Sequence, residues 1–148
     1  MTVGAFLNGN GGHLLIGIRD QGSIIVGIEP EFQHNSVDRN RRSWDGWSSK
    51  FFEIINLHLR MFGEPNAVQA FGPQHLSLHR LEDDGAIVAC LEVRALPRTS
   101  AIVMRNTGAE KSPTLPMRQN ESTVPVEGLA AERYLLNRFL GSPSTALP

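Results

Sequence analysis

The chain has 148 residues, which predicts one domain or slightly more, at roughly 100–200 residues per domain. Apolar residue types make up 41 %, and together with 14 glycines this is an ordinary globular composition that excludes disordered and fibrous proteins. Basic and acidic residues nearly balance, 14 against 15, for a net charge of −1. This balance excludes a cationic field over the whole molecule, so a site for nucleic acid has to be a local patch.

Cysteine content and hydropathy predict the compartment. Cys90 is the only cysteine, which excludes an intramolecular disulfide and a cysteine-rich zinc site. No apolar run approaches the roughly 20 residues of a membrane span, and no charged-then-apolar leader opens the sequence. We therefore expect a soluble, cytoplasmic protein that does not contact a membrane.

The first part of the chain predicts a helix followed by a β-hairpin. Residues 2–7 have the apolar pattern of the last turns of a helix, and Asn8 and Gly9 supply the left-handed stop that commonly ends one. The segment 13–19 predicts a buried strand, and 23–28 predicts its antiparallel partner across a turn containing Asp and Gly.

The middle of the chain predicts a loop and a second helix. The stretch 29–42 is polar and is predicted to be a loop. The helix that follows has an N-cap at Ser43 or Asp45, apolar residues at three- and four-residue steps, and an end at Gly63. Its His58 lies on the apolar face and is predicted to pack in the core.

The second half predicts mainly β-structure. Strands are predicted at 67–71, 76–81 and 86–94, and a hairpin joins 101–105 to 114–118. A final helix is predicted at 126–140, with a buried side made of Leu129, Leu136, Phe139 and Leu140. Residues 141–148 are predicted to be a disordered tail. These elements predict one α+β domain over residues 1–140, with a mainly antiparallel sheet and two or three helices.

A glycine cluster joins the first helix to the first strand; its residues are Asn8, Gly9, Gly11 and Gly12. A glycine-rich loop cradles phosphate when it opens a helix, because free N–H groups and the helix dipole then point at the anion. Here the helix precedes the loop, and neither the dinucleotide fingerprint nor the P-loop lysine is present. Two interpretations stay open: a tight turn that needs positive φ, or a loop that approaches a ligand.

A basic stretch follows the first hairpin, with four cations within twelve residues: Arg39, Arg41, Arg42 and Lys50. Trp44 and Trp47 are interleaved with them. Arginines that neutralise phosphates and aromatics that stack on bases are typical of a nucleic-acid site. Trp47 also fits the apolar face of the predicted helix, which favours a core position. The alternative for this stretch is a solvated loop.

The other polar residues show no pattern typical of catalysis. His75 and His79 would share a strand face but lie about 13 Å apart along it, too far for one ion. No Ser/His/Asp or Cys/His arrangement is present. We expect no metal site and no cofactor.

The glycine cluster and its flanks carry a resemblance to a known family. Residues 3–18 read VGAFLNGNGGHLLIGI and are followed by Asp20, Gly22 and the segment 25–28 (IVGI). This order resembles the core of the Schlafen/AlbA-type DNA-binding domain, whose members read approximately SAFANTxGGxLLIGVxDxGxIVG.

Two later segments resemble the same family. Residues 91–93 (LEV) ahead of Pro97 resemble its IEV…P stretch, and 117–123 (MRQNEST) resembles its closing YxRxGxxT element. Asn120 stands where the family usually has Gly; because Asn tolerates the left-handed conformation best after Gly, we expect the turn to persist. The resemblance runs from residue 2 to about residue 140.

The resemblance implies an α+β fold and a nucleic-acid-binding, specifically DNA-binding, function of the kind found in bacterial transcriptional regulators. It adds Arg118, in the closing element, to the expected nucleic-acid contacts. Whether DNA or RNA is preferred stays open.

Some vertebrate Schlafen proteins are RNA endonucleases that use three carboxylates and a metal ion. The resemblance places two of these, both Glu, upstream of the glycine turn, at positions that fall before Met1. The third is an Asp after the following strand, and Asp20 matches it. One aspartate cannot hold a divalent ion, which takes several oxygen ligands. We therefore expect no catalytic residues and no enzyme activity in this chain.

The resemblance also implies a first strand upstream of Met1. Without that strand its neighbour in the sheet has an open edge, and we expect a homodimer to cover it. The alternative function is a protein- or ligand-interaction or sensing module that docks through the glycine turn and hairpin, and it predicts an exposed apolar patch. A metal-dependent RNA endonuclease is the third and least favoured interpretation.

Overall fold

Helices and antiparallel strands combine in the computed structural model, which describes residues 1–19, 21, 24–34, 43–63, 73–105 and 113–141. Its helices are α1 (Thr2–Asn8), α2 (Glu29–His34), α3 (Trp44–His58) and α4 (Gly128–Leu140). Its strands are β1 (Gly12–Ile16), β2 (Ile18–Arg19), β3 (Ile24–Ile25), β4 (Leu59–Met61), β5 (Leu76–Asp83), β6 (Ala86–Val93), β7 (Ile102–Met104), β8 (Leu115–Gln119) and β9 (Ser122–Val126). The predicted strand at 67–71 and the tail at 142–148 lie outside the described residues.

The described strands form one three-stranded sheet and three strand pairs, all antiparallel. The central sheet has the order β1-β6-β5, with Leu14 opposite Leu91 and Leu91 opposite Leu78. The pairs are β2–β3, β4–β7 and β8–β9. This architecture confirms the predicted class, a single α+β domain with a mainly antiparallel sheet.

The main core joins α1 to α3, the central sheet and β7. Leu7, Ile55, Leu91 and Ile102 are among its buried members. A seven-residue helix is marginal in isolation, whereas burial of one Leu or Ile side chain is worth about 1.5–3 kcal/mol. Tertiary packing therefore stabilises α1, and with it the start of the glycine cluster.

A glycine separates β1 from β2 and divides the predicted hairpin. Gly17 has φ +100°, and its carbonyl oxygen accepts hydrogen bonds from the N–H groups of Val26 and Gly27 at 2.8 and 2.9 Å. Beyond this point β2 pairs with β3. The predicted hairpin of 13–19 and 23–28 is therefore present, but most of its first half, β1, belongs to the central sheet.

The helix predicted to reach Gly63 ends earlier. It begins as predicted after Ser43, whose Oγ accepts a hydrogen bond from the Gly46 N–H at 3.2 Å. It ends at His58, because the next three residues pair with β7 as strand β4. His58 is exposed, so its predicted core position is wrong. Trp47 is buried, as the apolar pattern predicts.

A short helix, α2, occupies the first six positions of the predicted polar loop 29–42. Two carboxylates at its start make tertiary hydrogen bonds. Glu29 Oε1 accepts from the Ile87 N–H at 2.7 Å, and Glu31 Oε2 accepts from the Trp47 indole N–H at 2.6 Å. Acidic side chains in the first turn also favour a helix N-terminus. The prediction of a loop is therefore wrong for this part.

The strand pairing of the C-terminal third differs from the prediction. The predicted hairpin of 101–105 with 114–118 does not form in the described part, because β7 pairs with β4 and β8 pairs with β9. One backbone hydrogen bond, from the Met104 N–H to the Thr114 oxygen at 2.8 Å, still joins the two segments.

The buried side of α4 is also not the predicted one. Ala131 and Leu135 are buried, and Tyr134 and Arg138 are partly buried on the same side. The four residues predicted to be buried are all exposed: Leu129, Leu136, Phe139 and Leu140.

Two turns have the backbone conformations that their residues predict. Between β5 and β6, Asp84 and Gly85 have φ of 48° and 79°, as in the Asp-Gly turns of tight hairpins. Between β8 and β9, Asn120 has φ 55°. The expectation that Asn120 holds the left-handed turn in place of glycine is confirmed.

Candidate nucleic-acid interface

The glycine turn, residues 8–12, is a tight and internally bonded connection between α1 and β1. Its left-handed residue is Gly11, with φ +76°, and not Asn8 or Gly9 as predicted; Gly9 has φ −95°. The N–H groups of Gly9 and Gly11 donate to the carbonyl oxygens of Ala5 and Phe6, both at 2.9 Å. These two donors are consequently used within the turn and do not point at a ligand.

The side chain of Asn8 ties the turn to two strands. It is 3 % exposed, and its Oδ1 accepts from the Ile102 N–H at 2.7 Å. Its Nδ2 donates to the carbonyl oxygens of Ile102 and Pro116 at 2.9 and 3.3 Å. Because each of these groups is buried, a partner for each is needed to offset its loss of water. Asn8 thus fixes the end of α1 against β7 and β8.

The backbone carbonyl of Asn8 is held by the C-terminal helix. It accepts hydrogen bonds from the Tyr134 hydroxyl at 2.9 Å and from Arg138 Nη1 at 2.7 Å. The guanidinium of Arg138 also donates to four other oxygens, those of Ser100, Leu96, Pro97 and the Tyr134 hydroxyl. A guanidinium has five N–H donors, so all five are occupied. Arg138 therefore acts as a clamp that holds the glycine turn and the segment 96–100 together.

The segment that follows β6 passes directly against the glycine turn. A Cβ at Gly11 would lie 2.5 Å from the Val93 carbonyl oxygen and 3.5 Å from the Arg94 Cα. The Leu96 N–H donates to the Leu7 carbonyl oxygen at 2.9 Å. This approach requires glycine at position 11 and brings the backbone of the exposed Arg94 to the turn. Four residues later, the exposed Arg98 lines a cavity together with Tyr134 and Arg138, which hold the turn.

A third exposed arginine reaches the turn from β8. The Arg118 guanidinium carbon lies 5.4 Å from the centroid of the Phe6 ring, a cation–π distance. The same ring lies against Gly12, where a Cβ would come within 2.8 Å of it. The structure therefore brings together Arg118 and the glycine turn, which the sequence placed more than a hundred residues apart.

Four arginines consequently lie at the glycine turn or beside the side chains that hold it, and we call them the arginine cluster: Arg94, Arg98, Arg118 and Arg138. Among the described residues only Arg94 has a carboxylate partner, Glu92, with Nε and Oε1 3.2 Å apart. The cluster is a local surplus of positive charge on a chain whose net charge is −1.

An open cavity of about 210 Å³ lies within the cluster. Its lining is Arg98, Tyr134, Asn137 and Arg138, without a carboxylate. Arg138 contributes charge, but its N–H groups are used by oxygens of the protein. Arg98 and the Asn137 amide also line the cavity and have no hydrogen bond to another described residue, so their donors are available to a ligand.

The negative charge of Glu92 offsets part of the positive charge of the arginine cluster, at Arg94. Hydrogen bonding and charge from Arg94 lower the pKa of Glu92 from its ordinary value of 4.5, with smaller contributions from His79 and His13. His79 Nε2 lies 3.6 Å from Glu92 Oε2, and His13 stands opposite Glu92 in the central sheet.

Substitution of Arg94→Gln is expected to raise the pKa of Glu92 towards 4.5, because its main source of stabilisation is removed. A carboxyl group whose pKa is lower in the folded than in the unfolded state stabilises the fold at any pH above its unfolded-state pKa. This stabilisation is lost as the pH falls through the folded-state pKa. An NMR titration of the Glu92 side chain measures the shift. Arg80→Gln is the control, since Arg80 pairs with Glu82; an unchanged Glu92 pKa in Arg94→Gln would contradict the assignment.

Of the other predicted contact residues, Lys50 is the one that the described ranges contain. Lys50 is on α3 and its Nζ is 3.2 Å from Glu53 Oε1, so its charge is paired on its own helix. Arg39, Arg41 and Arg42 lie outside the described residues, as does Asp20, the single match to the nuclease motif.

Sequence reasoning missed Arg94, Arg98 and Arg138. They are distant in sequence from the glycine turn and from one another, so no local run of charge marks them. The one signal was the LEV…P stretch at 91–97, whose resemblance to the family identified a segment of interest but not its arginines.

Comparison with models of known protein families identifies the family of this chain. A model of the Schlafen, AlbA_2 family matches residues 1–107 of the 148. The chain belongs to the Schlafen, AlbA_2 family. The match covers α1 to β7 and includes the glycine turn, Arg94 and Arg98, while β8, β9 and α4 follow it. No curated protein and no solved structure matches the chain.

Two features of this Schlafen, AlbA_2 chain concern metals and membranes. In the described ranges no three His, Cys, Asp or Glu side chains come together as a metal site. None of the helices in that part of the chain has the length and apolar character needed to cross a membrane.

Proposed function

We propose that this chain is a cytoplasmic nucleic-acid-binding module, of the DNA-binding type found in bacterial transcriptional regulators. The observation that carries the proposal is the arginine cluster around the glycine turn. Membership of the Schlafen, AlbA_2 family supports it.

The chemistry of the cluster suits a phosphate backbone. Arginine presents a planar fork of donors that matches phosphate oxygens. Arg94, Arg98 and Arg118 are exposed and present such forks, whereas the donors of Arg138 are used by the protein. Arg118, stacked on Phe6, and Arg98, at the mouth of the cavity, are the two without a carboxylate partner in the described part.

The glycine turn acts in this proposal as a rigid scaffold. Its backbone donors at Gly9 and Gly11 are used internally, and both the side chain and the carbonyl of Asn8 are bound to neighbouring elements. A fixed turn holds the backbone segments that carry the surrounding arginines at constant separations. This reduces the entropy that is lost when the arginines bind a ligand.

We expect the double variant Arg98→Gln/Arg118→Gln to bind nucleic acid roughly tenfold more weakly than wild type at about 50 mM salt. The slope of log K against log salt is expected to fall by about 0.7–0.9 for each lost phosphate contact. Fluorescence anisotropy with single-stranded DNA, duplex DNA and RNA of equal length measures both quantities and shows which nucleic acid is preferred.

Two controls separate the cluster from charge in general. Arg80→Gln removes an exposed arginine that is paired with Glu82 on β5, and Lys50→Gln removes the paired cation of α3. Both are expected to bind as wild type does. Absence of binding to all three nucleic acids at about 50 mM salt would overturn the proposal, and equal loss in the controls would overturn the role of the cluster.

We further propose that this chain binds nucleic acid without cleaving it. In its sequence only Asp20 matches the three carboxylates of the nuclease members. Incubation of tRNA with the chain and Mg²⁺ or Mn²⁺ is expected to leave the RNA intact. Cleavage that is lost in Asp20→Ala would contradict this.

A protein-interaction function is the second candidate, and one observation favours it. An apolar groove lies along the exposed side of α4. Exposed apolar patches are typical of interaction sites, although this groove lies on α4 and not at the glycine turn and hairpin that the interaction-module interpretation names.

A further inference from the structure

Helix α4 has two apolar sides that point in opposite directions. At 100° per residue, Ala131, Leu135 and Arg138 lie on the side that packs against the domain. Leu129, Leu136 and Leu140 lie on the opposite side, and their exposed fractions are 64 %, 57 % and 79 %. A helix with one core-facing side normally carries polar residues on the other.

The exposed side continues into a groove beside the turn after β4. Phe62 and Phe139 bring their ring centroids to 6.0 Å, and they are 41 % and 40 % exposed. The groove has a volume of about 420 Å³ and is lined by Phe62, Glu132, Leu135, Leu136, Phe139 and Leu140. Its one charged lining residue is Glu132.

The area of this surface is comparable with that of a dimer interface. Five large apolar side chains, each about half exposed, present roughly 600 Å² to solvent, close to the about 800 Å² that each partner contributes to a standard interface. Monomeric proteins rarely expose a continuous apolar patch of more than a few hundred Å². The patch is therefore large enough for self-association, at the weaker end of stable dimers.

The charges beside the apolar row indicate how two copies would pair. Glu132 lies on one flank of the Leu129–Leu136–Leu140 row and Arg133 on the other, because successive residues differ by 100°. Neither side chain has a hydrogen bond or ion pair with another described residue. A twofold axis along two parallel helices places the Glu132 flank of each copy against the Arg133 flank of the other. Antiparallel helices would instead place like flanks together.

We propose that α4 is a homodimer interface, in which two copies of the chain pack the Leu129–Leu136–Leu140 rows of parallel helices against each other. Each Glu132 pairs with Arg133 of the second copy, and Phe62 and Phe139 extend the apolar contact. This interface differs from the sheet-edge dimer expected from the sequence; among the described strands, β1 and β5 lie at the edges of the central sheet. It does not depend on the proposed nucleic-acid binding.

Sedimentation equilibrium of the full chain over a concentration series tests the dimer. The wild-type weight-average mass is expected to double as concentration rises, and Leu136→Glu is expected to remain a monomer at every concentration. Leu57→Glu is the matched control, since Leu57 on α3 is exposed to a similar extent, 64 % against 57 % for Leu136, and does not line the groove. It is expected to dimerise as wild type does.

Charge reversal tests the pairing of the helices and keeps the test independent of misfolding. Glu132→Arg alone and Arg133→Glu alone each place like charges across the interface and are expected to weaken dimerisation at least tenfold. The double variant Glu132→Arg/Arg133→Glu exchanges both signs and is expected to restore it.

Three results would overturn the proposal. A wild-type chain that stays monomeric at several hundred micromolar shows that the groove has a different occupant. A dimer that survives Leu136→Glu shows that the contact lies elsewhere, for example at the edge of β1. If the single reversals weaken the dimer and the double charge reversal does not restore it, the helices are not parallel.

Discussion

Replacement of Gly11 by alanine is expected to destabilise the fold by about 3 kcal/mol, through two effects. The left-handed conformation at φ +76° costs a residue with a Cβ about 1–2 kcal/mol. The new Cβ would also lie 2.5 Å from the Val93 carbonyl oxygen, a backbone atom of the central sheet that cannot turn aside as a flexible side chain can. Denaturant unfolding followed by circular dichroism measures the loss.

Gly85→Ala separates the two effects. Gly85 has almost the same φ, +79°, and a Cβ there has no neighbour within 4 Å. Gly85→Ala is therefore expected to lose only the stability that the left-handed conformation costs, about 1–2 kcal/mol. Equal losses in the two variants would show that the close approach of β6 to the glycine turn contributes nothing.

Asn8→Ala is expected to cost a similar amount, about 3 kcal/mol, for a different reason. The change removes three hydrogen bonds and leaves the Ile102 N–H and the carbonyl oxygens of Ile102 and Pro116 without their side-chain partner. Each buried polar group that loses its partner costs about 1–3 kcal/mol. The loss is measured by denaturant unfolding.

Hydrogen exchange gives a local readout of the same change. The Ile102 amide proton, which donates to Asn8 Oδ1, is expected to exchange faster in Asn8→Ala by more than global destabilisation explains. Asn137→Ala is the control, because Asn137 is exposed on α4 and has no described hydrogen bond; its effect is expected to stay within about 0.5 kcal/mol. Similar stability losses in the two variants would contradict the role given to Asn8.

The parts of the fold that sequence predicted are those determined by neighbouring residues. The strands β5 and β6 with their Asp84–Gly85 turn, the N-cap at Ser43 and the left-handed Asn120 all follow from local rules. The helix predicted through to Gly63 failed because Leu59–Met61 satisfy helical periodicity and also strand pairing with β7, and the tertiary partner decided between them.

The sides of α4 show a second limit of sequence patterns. Periodicity identified Leu129, Leu136 and Leu140 as one apolar row, which is correct, but assigned that row to the core. The actual core side is formed by Ala131 and Leu135 together with Tyr134 and Arg138, whose polar ends bind backbone oxygens. These two polar residues make the inner side less hydrophobic than the outer row of leucines, so periodicity selects the outer row.

About half of the candidate site could be predicted from the sequence. The glycine turn is visible as a motif, and Arg118 was found through the resemblance to the family. Arg94 reaches the turn only because a strand of the central sheet ends beside Gly11, and Arg98 follows it on the segment that Arg138 holds. Such a position is set by the register of the sheet, which no local pattern records.

Arg138 also joins the last helix of the described fold to the first. Through its contacts with the carbonyl of Asn8 and with the segment 96–100, the last helix is fastened to the first. The family match ends at residue 107, but these contacts and the packing of Val103 against Leu115 and Ala131 extend to α4. An isolated fragment of residues 1–107 would leave the end of α1 without its cap and Val103 without its Leu115 and Ala131 neighbours. We therefore expect the first and last helices to unfold together, as one unit.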